Sequence, residues 1–287
     1  MAASSLFALI EQLLGEPIET STSIGGGCIA KTHRIRTVSG RELFLKSGFS
    51  NSMFRSEANG LRELRKANAI GVPEVFWVDE NFLLMEFIYP GTKKKNFFED
   101  FGWSLANLHR YTASHFGFYE DNFIGATPQL NVVKGSASKT WKQFFWEYRI
   151  LYQFQLAQKN GYADEKLTNG ISQLEDRVEM ILSGSEESPS LLHGDLWKGN
   201  FIVDRNGEPV LIDPAVYYGH READLAMTKL FGGFPPEFYE AYNENYPLKE
   251  GYEYRENIYL LYHVLNHLNL FGHSYYLKAI QLIYSYL

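Results

Sequence analysis

The chain has 287 residues, 45% of them hydrophobic, 21% charged and 16% aromatic; this excludes a disordered chain and fits one large or two ordinary globular domains of roughly 150 residues each. With 27 Lys and Arg against 34 Asp and Glu the formal charge is −7, which argues against nucleic acid as the main partner, because phosphate backbones select basic surfaces. No stretch reaches the ~18 uninterrupted apolar residues that a membrane helix needs, and the single cysteine, Cys28, allows no internal disulfide and fits a reducing cytoplasm.

The first fifteen residues read as a short amphipathic helix ended by Gly15 and Pro17; they lack the basic flank of a secretory leader. Ser21 to Lys46 predicts glycine-rich hairpins: a strand, a turn at Gly25, Gly26, Gly27 and Cys28, the run Lys31 to Val38, a Ser39-Gly40 turn and a strand from Glu42 to Lys46. Successive glycines let backbone amides approach a phosphate closely, although a flexible loop has the same sequence. Lys46 closes the next strand, where an ammonium reaches α- and β-phosphates. Met53 to Asn68 predicts a helix with Phe54, Leu61 and Leu64 on one face, and Glu57 in its first turns is a candidate partner for Lys46. Strands Glu74 to Val78 and Phe82 to Ile88 flank a turn at Asp79-Glu80-Asn81, and Tyr89-Pro90-Gly91 breaks the sheet. Residues 86 to 96 read as a hinge, with Glu86, Phe87 and Ile88 offering backbone donors and acceptors to adenine. The expected division is a nucleotide-binding lobe over 1–90 and a catalytic and substrate lobe over 91–287.

From Phe97 the periodicity becomes helical: Phe97, Phe101, Leu105 and Leu108 form one apolar face, Trp141 to Gln158 predicts a long aromatic helix, and Ile171, Leu174, Val178 and Ile181 mark another. Between the first two, Tyr111 to Lys139 is a polar connection long enough for a functional loop over a cleft. The stretch Leu191 to Asn200, L-L-H-G-D-L-W-K-G-N, sets Asp195 and Asn200 between apolar strands. A hairpin turning at Asn206-Gly207 then brings a second acid, Asp213, back beside Asn200. Each polar residue alone fits a turn or a helix cap; their joint spacing suits phosphoryl transfer, with one acid orienting a hydroxyl and two oxygen ligands, Asn200 and Asp213, holding Mg²⁺. Arg221 to Ala226 starts a helix in which Asp224 has a structural role, either buried and bonded to loop amides or favouring the dipole of the helix N-terminus, and His109, His263, His267 and His273 show no metal-ligand spacing.

In order, G-G-G-C, Lys46, Glu57, L-L-M-E-F-I, H-G-D-L-W-K-G-N and I-D-P-A resemble the kinase-like phosphotransferases, the fold shared by protein kinases and aminoglycoside phosphotransferases. That resemblance implies an α+β, bilobal protein-kinase-like fold with a small antiparallel-sheet N-lobe and a larger, mostly helical C-lobe. More narrowly, G-G-G-C-I, L-L-H-G-D-L-W-x-G-N, D-P-A-x-x-Y-G-H-R-E-x-D-L-A and F-G-G-F-P look like the fructosamine-3-kinase (ketosamine kinase) family. The resemblance implies that Asp195 orients a sugar hydroxyl attacking the γ-phosphate of ATP, that Asn200 and Asp213 hold Mg²⁺, and that Lys46, Glu57, Gly25, Gly26 and Gly27 handle the phosphates. Glu86, Phe87 and Ile88 would form the adenine hinge, and Trp197 would stack on a sugar or amine or serve as a core residue. It also implies phosphorylation of the 3-hydroxyl of small-molecule or protein-bound ketosamines, giving an unstable product that sheds its sugar: deglycation and repair.

Departures from the protein-kinase pattern matter. Gly194 replaces the Arg of H-R-D, Pro214-Ala215 replaces the Phe-Gly of D-F-G, and only ten residues separate Asp213 from Asp224. That leaves no room for a phosphorylated activation loop and favours a small-molecule acceptor. A kinase for another small alcohol or an aminoglycoside, and a non-catalytic nucleotide-binding scaffold, are the competing functions. The chain is expected to be monomeric or to form a redox-dependent dimer through Cys28, whose setting near amide donors lowers a thiol pKa.

Overall fold

The structure, a computed structural model, describes residues 3–25, 30–48, 52–133 and 140–287. Helix α1 (Ala3–Leu14) is followed by strands β1 (Ile18–Ser23), β2 (Lys31–Thr37) and β3 (Glu42–Ser47), helix α2 (Met53–Lys66), and strands β4 (Val75–Val78) and β5 (Phe82–Glu86). The five strands form one antiparallel sheet in the order β1-β2-β3-β5-β4. Side chains alternate between the faces of a strand, so β3 sends Leu43 and Leu45 one way and Phe44 and Lys46 the other. Leu43 and Leu45 join Ile35, Phe82 and Leu84 under Ile10 of α1 in a closed apolar cluster. The opposite face, with Leu83 and Met85, packs on Phe54, Ala58, Leu61 and Leu64 of α2. Lys46 is thereby committed to the α2 side.

Beyond β5 come α3 (Phe97–His109), the hairpin β6 (Asn122–Ile124) and β7 (Thr127–Gln129), α4 (Trp141–Phe145), a π-helical turn over Trp146–Leu151, α5 (Tyr152–Lys159) and α6 (Glu165–Ile181). Then follow β8 (Ser190–Leu192), β9 (Phe201–Val203), β10 (Pro209–Leu211), β11 (Tyr217–Gly219), α7 (Glu222–Lys229), α8 (Pro236–Asn245), α9 (Tyr252–Phe271) and α10 (Tyr276–Tyr284). Strand β8 pairs with β11, and β9 with β10.

Three details depart from the expectations. Strand β1 starts at Ile18 rather than Ser21. The predicted single helix over 141–158 is interrupted by the π-helical turn, which carries Arg149, fully buried among Phe144, Tyr217 and Tyr262. Its guanidinium donates to Leu130 O at 2.6 Å and Asn131 Oδ1 at 2.6 Å, so the turn anchors the polar 120–131 segment. The β9–β10 connection is not a two-residue Asn-Gly turn but a longer loop, closed by the Asp204 carboxylate accepting from the amides of Asn206 and Glu208, both at 2.8 Å.

Deep in the helical region Arg255 donates twice to Glu222, at 2.8 and 2.7 Å, with both side chains buried. Removing one partner of such a pair strands a charge in a poorly solvating interior, whereas removing both does not. Arg255→Met is therefore expected to lose about 3–5 kcal/mol of stability in urea unfolding, and Arg255→Met with Glu222→Leu to recover most of it. Equal losses in the two variants would show that the pair contributes only packing.

Candidate active site

Lys46, on the α2 side of β3, donates to Glu57 Oε1 at 2.6 Å and pairs with Asp213. Glu57 sits in the second turn of α2, and Asp213 follows β10, so one ammonium joins sheet, helix and the far loop. Burial works against the Lys46 charge, but Glu57 and Asp213 outweigh it and raise its pKa. Burial, reinforced by Asp213, pushes Glu57 up against the opposing pull of Lys46. Asp213 adopts φ 53°, a left-handed conformation that a non-glycine residue holds only where its surroundings impose it. Those constraints are visible on both sides: Ile212 N donates to Asn200 O at 3.1 Å and Ala215 N to His193 O at 2.8 Å.

The loop 193–200 is held just as firmly. Asp224, buried in the first turn of α7, accepts from the amides of His193 at 2.7 Å and Gly194 at 2.8 Å, one with each carboxylate oxygen. His109 Nε2 lies 3.3 Å from the same carboxylate, and its Nδ1 lies 2.7 Å from Tyr242 Oη. Burial alone would raise Asp224; the hydrogen bonds it accepts from His109 and the Gly194 amide help hold it below its ordinary value. His193 bridges the two loops: Nδ1 accepts from Asp195 N at 3.2 Å, and Nε2 lies 2.9 Å from Ile212 O and donates to it in the neutral tautomer. Gly194 has φ 82°, and a Cβ there would lie 2.0 Å from Ala215 O, so the Arg of H-R-D has no room in this loop.

Asp195 is partly exposed at the cleft yet poorly solvated, and burial, opposed by the Asn200 hydrogen bond and reinforced by Asp213 and Asp224, pushes its pKa up to about 8. Asn200 Nδ2 donates to Asp195 O at 2.7 Å and Asp195 Oδ2 at 3.0 Å, which leaves Oδ1 as the acceptor end of the amide. Glu57 and Asp213 thus share one ammonium, and Asp195 stands beside Asn200. An excess of carboxylate beside a neutral amide oxygen is a hard-oxygen donor set that fits Mg²⁺ completed by phosphate oxygens and water. Among the described residues there is no cluster of three or more His, Cys, Asp or Glu that would hold a metal without such outside ligands.

Other expected residues are placed less directly. Gly26, Gly27 and Cys28 lie outside the described residues; Gly25 has open space around its Cα. Glu86 ends β5; its carboxylate accepts from Glu74 N at 3.2 Å, and its own amide donates to Glu74 O at 2.8 Å. Phe87 lies 4.8 Å beneath the Arg34 guanidinium, and Ile88 joins it in lining a shallow groove of about 300 Å³ behind the hinge with Tyr89 and Arg205. Trp197 is half-buried, packed over Gly199 and edge-on to Phe231 at 5.2 Å. Sequence reasoning gave Asp224 and His109 only a structural part and set His193 in the loop without a role; the H-x-D spacing was the available signal for one.

A spectinomycin phosphotransferase solved with ADP and spectinomycin matches this structure at TM-score 0.57 and 16% identity, over 99% of this chain and 94% of that one, a likeness of fold. The architecture is the kinase-like fold. A family model described as fructosamine kinase matches residues 2–287. A crystal structure described as a fructosamine-3-kinase from Thermobifida fusca superposes at TM-score 0.89 with 32% identity, covering 99% of both chains. The chloroplastic protein-ribulosamine 3-kinase of Arabidopsis thaliana is 39% identical, over 100% of this chain and 90% of its own length. The chain belongs to the fructosamine kinase family.

Burial holds His109, His193 and His220 below their ordinary 6.5, and His263 at about 3. Unfolding frees these rings to take up protons below 6.5, so the stability they contribute is fully present above that pH and is lost as pH falls. Each ring adds a slope of about 1.4 kcal/mol per pH unit between its unfolded and folded values. Thermal melts should show Tm falling steeply from pH 6.5 to 5; a flat Tm over that range would contradict the neutral assignments.

Proposed function

We propose that this chain is an ATP-dependent kinase that phosphorylates the 3-hydroxyl of ketosamines on small amines or proteins, so that the sugar is later shed and the amine restored. The observation that carries the reading is the convergence of Lys46, Glu57, Asp195, Asn200 and Asp213 on one cleft in a chain of this family. The acceptor oxygen attacks the γ-phosphorus, the bond to the β-phosphate bridging oxygen breaks, and the acceptor proton passes to Asp195. Lys46, oriented by Glu57, binds phosphate oxygens, and Gly25, Gly26 and Gly27 cover them. Asn200 Oδ1 and the Asp213 carboxylate would hold Mg²⁺, which would supply positive charge to the transferring phosphoryl group and favour the ionised form of Asp195. Glu86, Phe87 and Ile88 present backbone to adenine, and Trp197 offers a ring face to the sugar or amine.

The same reading divides the chain into lobes at 1–90 and 91–287, supported by the change from sheet to helix at the hinge. It places the protein in a reducing compartment such as the cytoplasm, as a monomer or as a dimer linked through Cys28. The lone cysteine supports that placement, and no helix among the described residues is long and apolar enough to cross a membrane.

Asp195→Asn is expected to retain nucleotide affinity and lose about 10³-fold in turnover, measured as Mg²⁺-dependent ADP release with ribulosamine, erythrulosamine and fructosamine adducts. Near-parental turnover would remove Asp195 from its role. Release by the parent only with an aminoglycoside or another small alcohol would replace the acceptor but keep the kinase.

A further inference from the structure

Helix α2 carries Glu57, and Gly60 and Glu63 follow it at successive three-residue steps, each the surface neighbour of the one before. Both meet the segment that follows Asp213. Tyr218 Oη donates to Glu63 Oε1 at 2.8 Å, and Glu63 is 7% exposed. A Cβ on Gly60 would stand 3.2 Å from Val216 Cγ2 and 3.4 Å from Pro214 Cγ, so the helix backbone lies directly on this segment. Asn59 Nδ2 adds a bond to Glu120 Oε1 at 3.0 Å.

Tyr218 is itself immobilised. It is the central residue of β11, facing Leu191 of β8, and exchanges backbone hydrogen bonds of 2.9 and 2.8 Å with Gly117. Strand β8 runs directly into His193, Gly194 and Asp195. A continuous path of contacts thus leads from the Lys46–Glu57 pair along α2, through Glu63 and Tyr218, to the strand pair that supports the catalytic loop.

We propose that Tyr218 and Gly60 are positioning residues for the phosphate site: the Tyr218–Glu63 bond and the Gly60 seat latch α2 to the 214–218 segment, so that Glu57 is held against Lys46 without nucleotide, phosphorylation or a partner. The proposal rests on the reading of the cleft as a phosphoryl-transfer site. In kinases whose α2 counterpart swings, that motion switches the Lys–Glu pair on and off; here the latch removes the switch. Fixing α2 acts on phosphate alignment more than on adenine binding, because the hinge contacts lie on a separate segment.

Tyr218→Phe deletes only the hydroxyl and leaves Glu63 paired with Lys66; Glu63→Gln keeps an oxygen to accept from Tyr218; Gly60→Val pushes on Pro214 and Val216. Hydrogen exchange of the α2 amides is measured with and without a non-hydrolysable ATP analogue, beside Tm, kcat and KM for ATP. Tyr218→Phe should speed α2 exchange about tenfold while leaving α9 unchanged, and lower kcat about tenfold with KM for ATP within threefold. Glu63→Gln should lie closer to the parent than Tyr218→Phe, and Gly60→Val, where it folds, should reproduce the Tyr218→Phe pattern. Parental α2 exchange and kcat in Tyr218→Phe would overturn the latch, as would a drop in Tm with kcat unchanged at 25 °C. Exchange and analogue affinity need no acceptor, so a parent inactive on every ketosamine would refute the substrate reading while the latch is still judged.

Discussion

One ammonium between two carboxylates is the constraint on which the site depends. Lys46 bonds Glu57 on α2 and Asp213 beyond β10, so sheet, helix and far loop meet at a single atom. The sheet can deliver that atom because alternation along β3 sends Leu43 and Leu45 into the cluster beneath α1 and Lys46 to the opposite face. A one-residue slip of β3 would exchange the two faces, burying the ammonium under α1 with no acid beside it. Apolar packing on one side of the sheet thus fixes the chemistry on the other.

The far wall of the cleft uses a different device. The 193–200 loop has little regular structure, and it is fixed by buried polar groups that each serve two loops. Asp224 holds two successive amides, and His193 joins Asp195 N to Ile212 O. A buried carboxylate is costly unless fully hydrogen-bonded, and here the amides and His109 satisfy it. Because the acceptors are occupied and the rings neutral, this support is rigid near neutral pH and weakens on acidification.

The legible parts of the sequence were those governed by local rules. Period-two alternation marks β3 and a continuous apolar run marks β5, the 3.6 period marks α2, α3 and α6, and the joint spacing of Asp195, Asn200 and Asp213 selects residues that lie together in the fold. Contacts over long separations were not legible. Asp224 is thirty residues from the amide of Gly194 that it accepts, and nothing local distinguishes it from an acid favouring the start of a helix. Nothing in the sequence singles out Arg149, which the π-helical turn carries into a fully buried cage of rings and carbonyls. The Asn206-Gly207 pair suggested a two-residue turn because that dipeptide favours one, but the Asp204 carboxylate captures the amides of Asn206 and Glu208 and opens a longer loop.

The shortness of the segment between Asp213 and α7 now has a structural meaning. In ten intervening residues the chain crosses over His193, forms β11 against β8, and enters α7 with Asp224 beneath the catalytic loop. Each of those placements uses backbone hydrogen bonds that a longer, peptide-binding segment would have to give up. The same residues also meet α2 through Val216 and Tyr218, so lengthening the segment would loosen both walls of the cleft together. A kinase built this way gains an assembled phosphate site and gives up an activation loop as a point of control. Control of its output then falls to the supply of substrate and nucleotide.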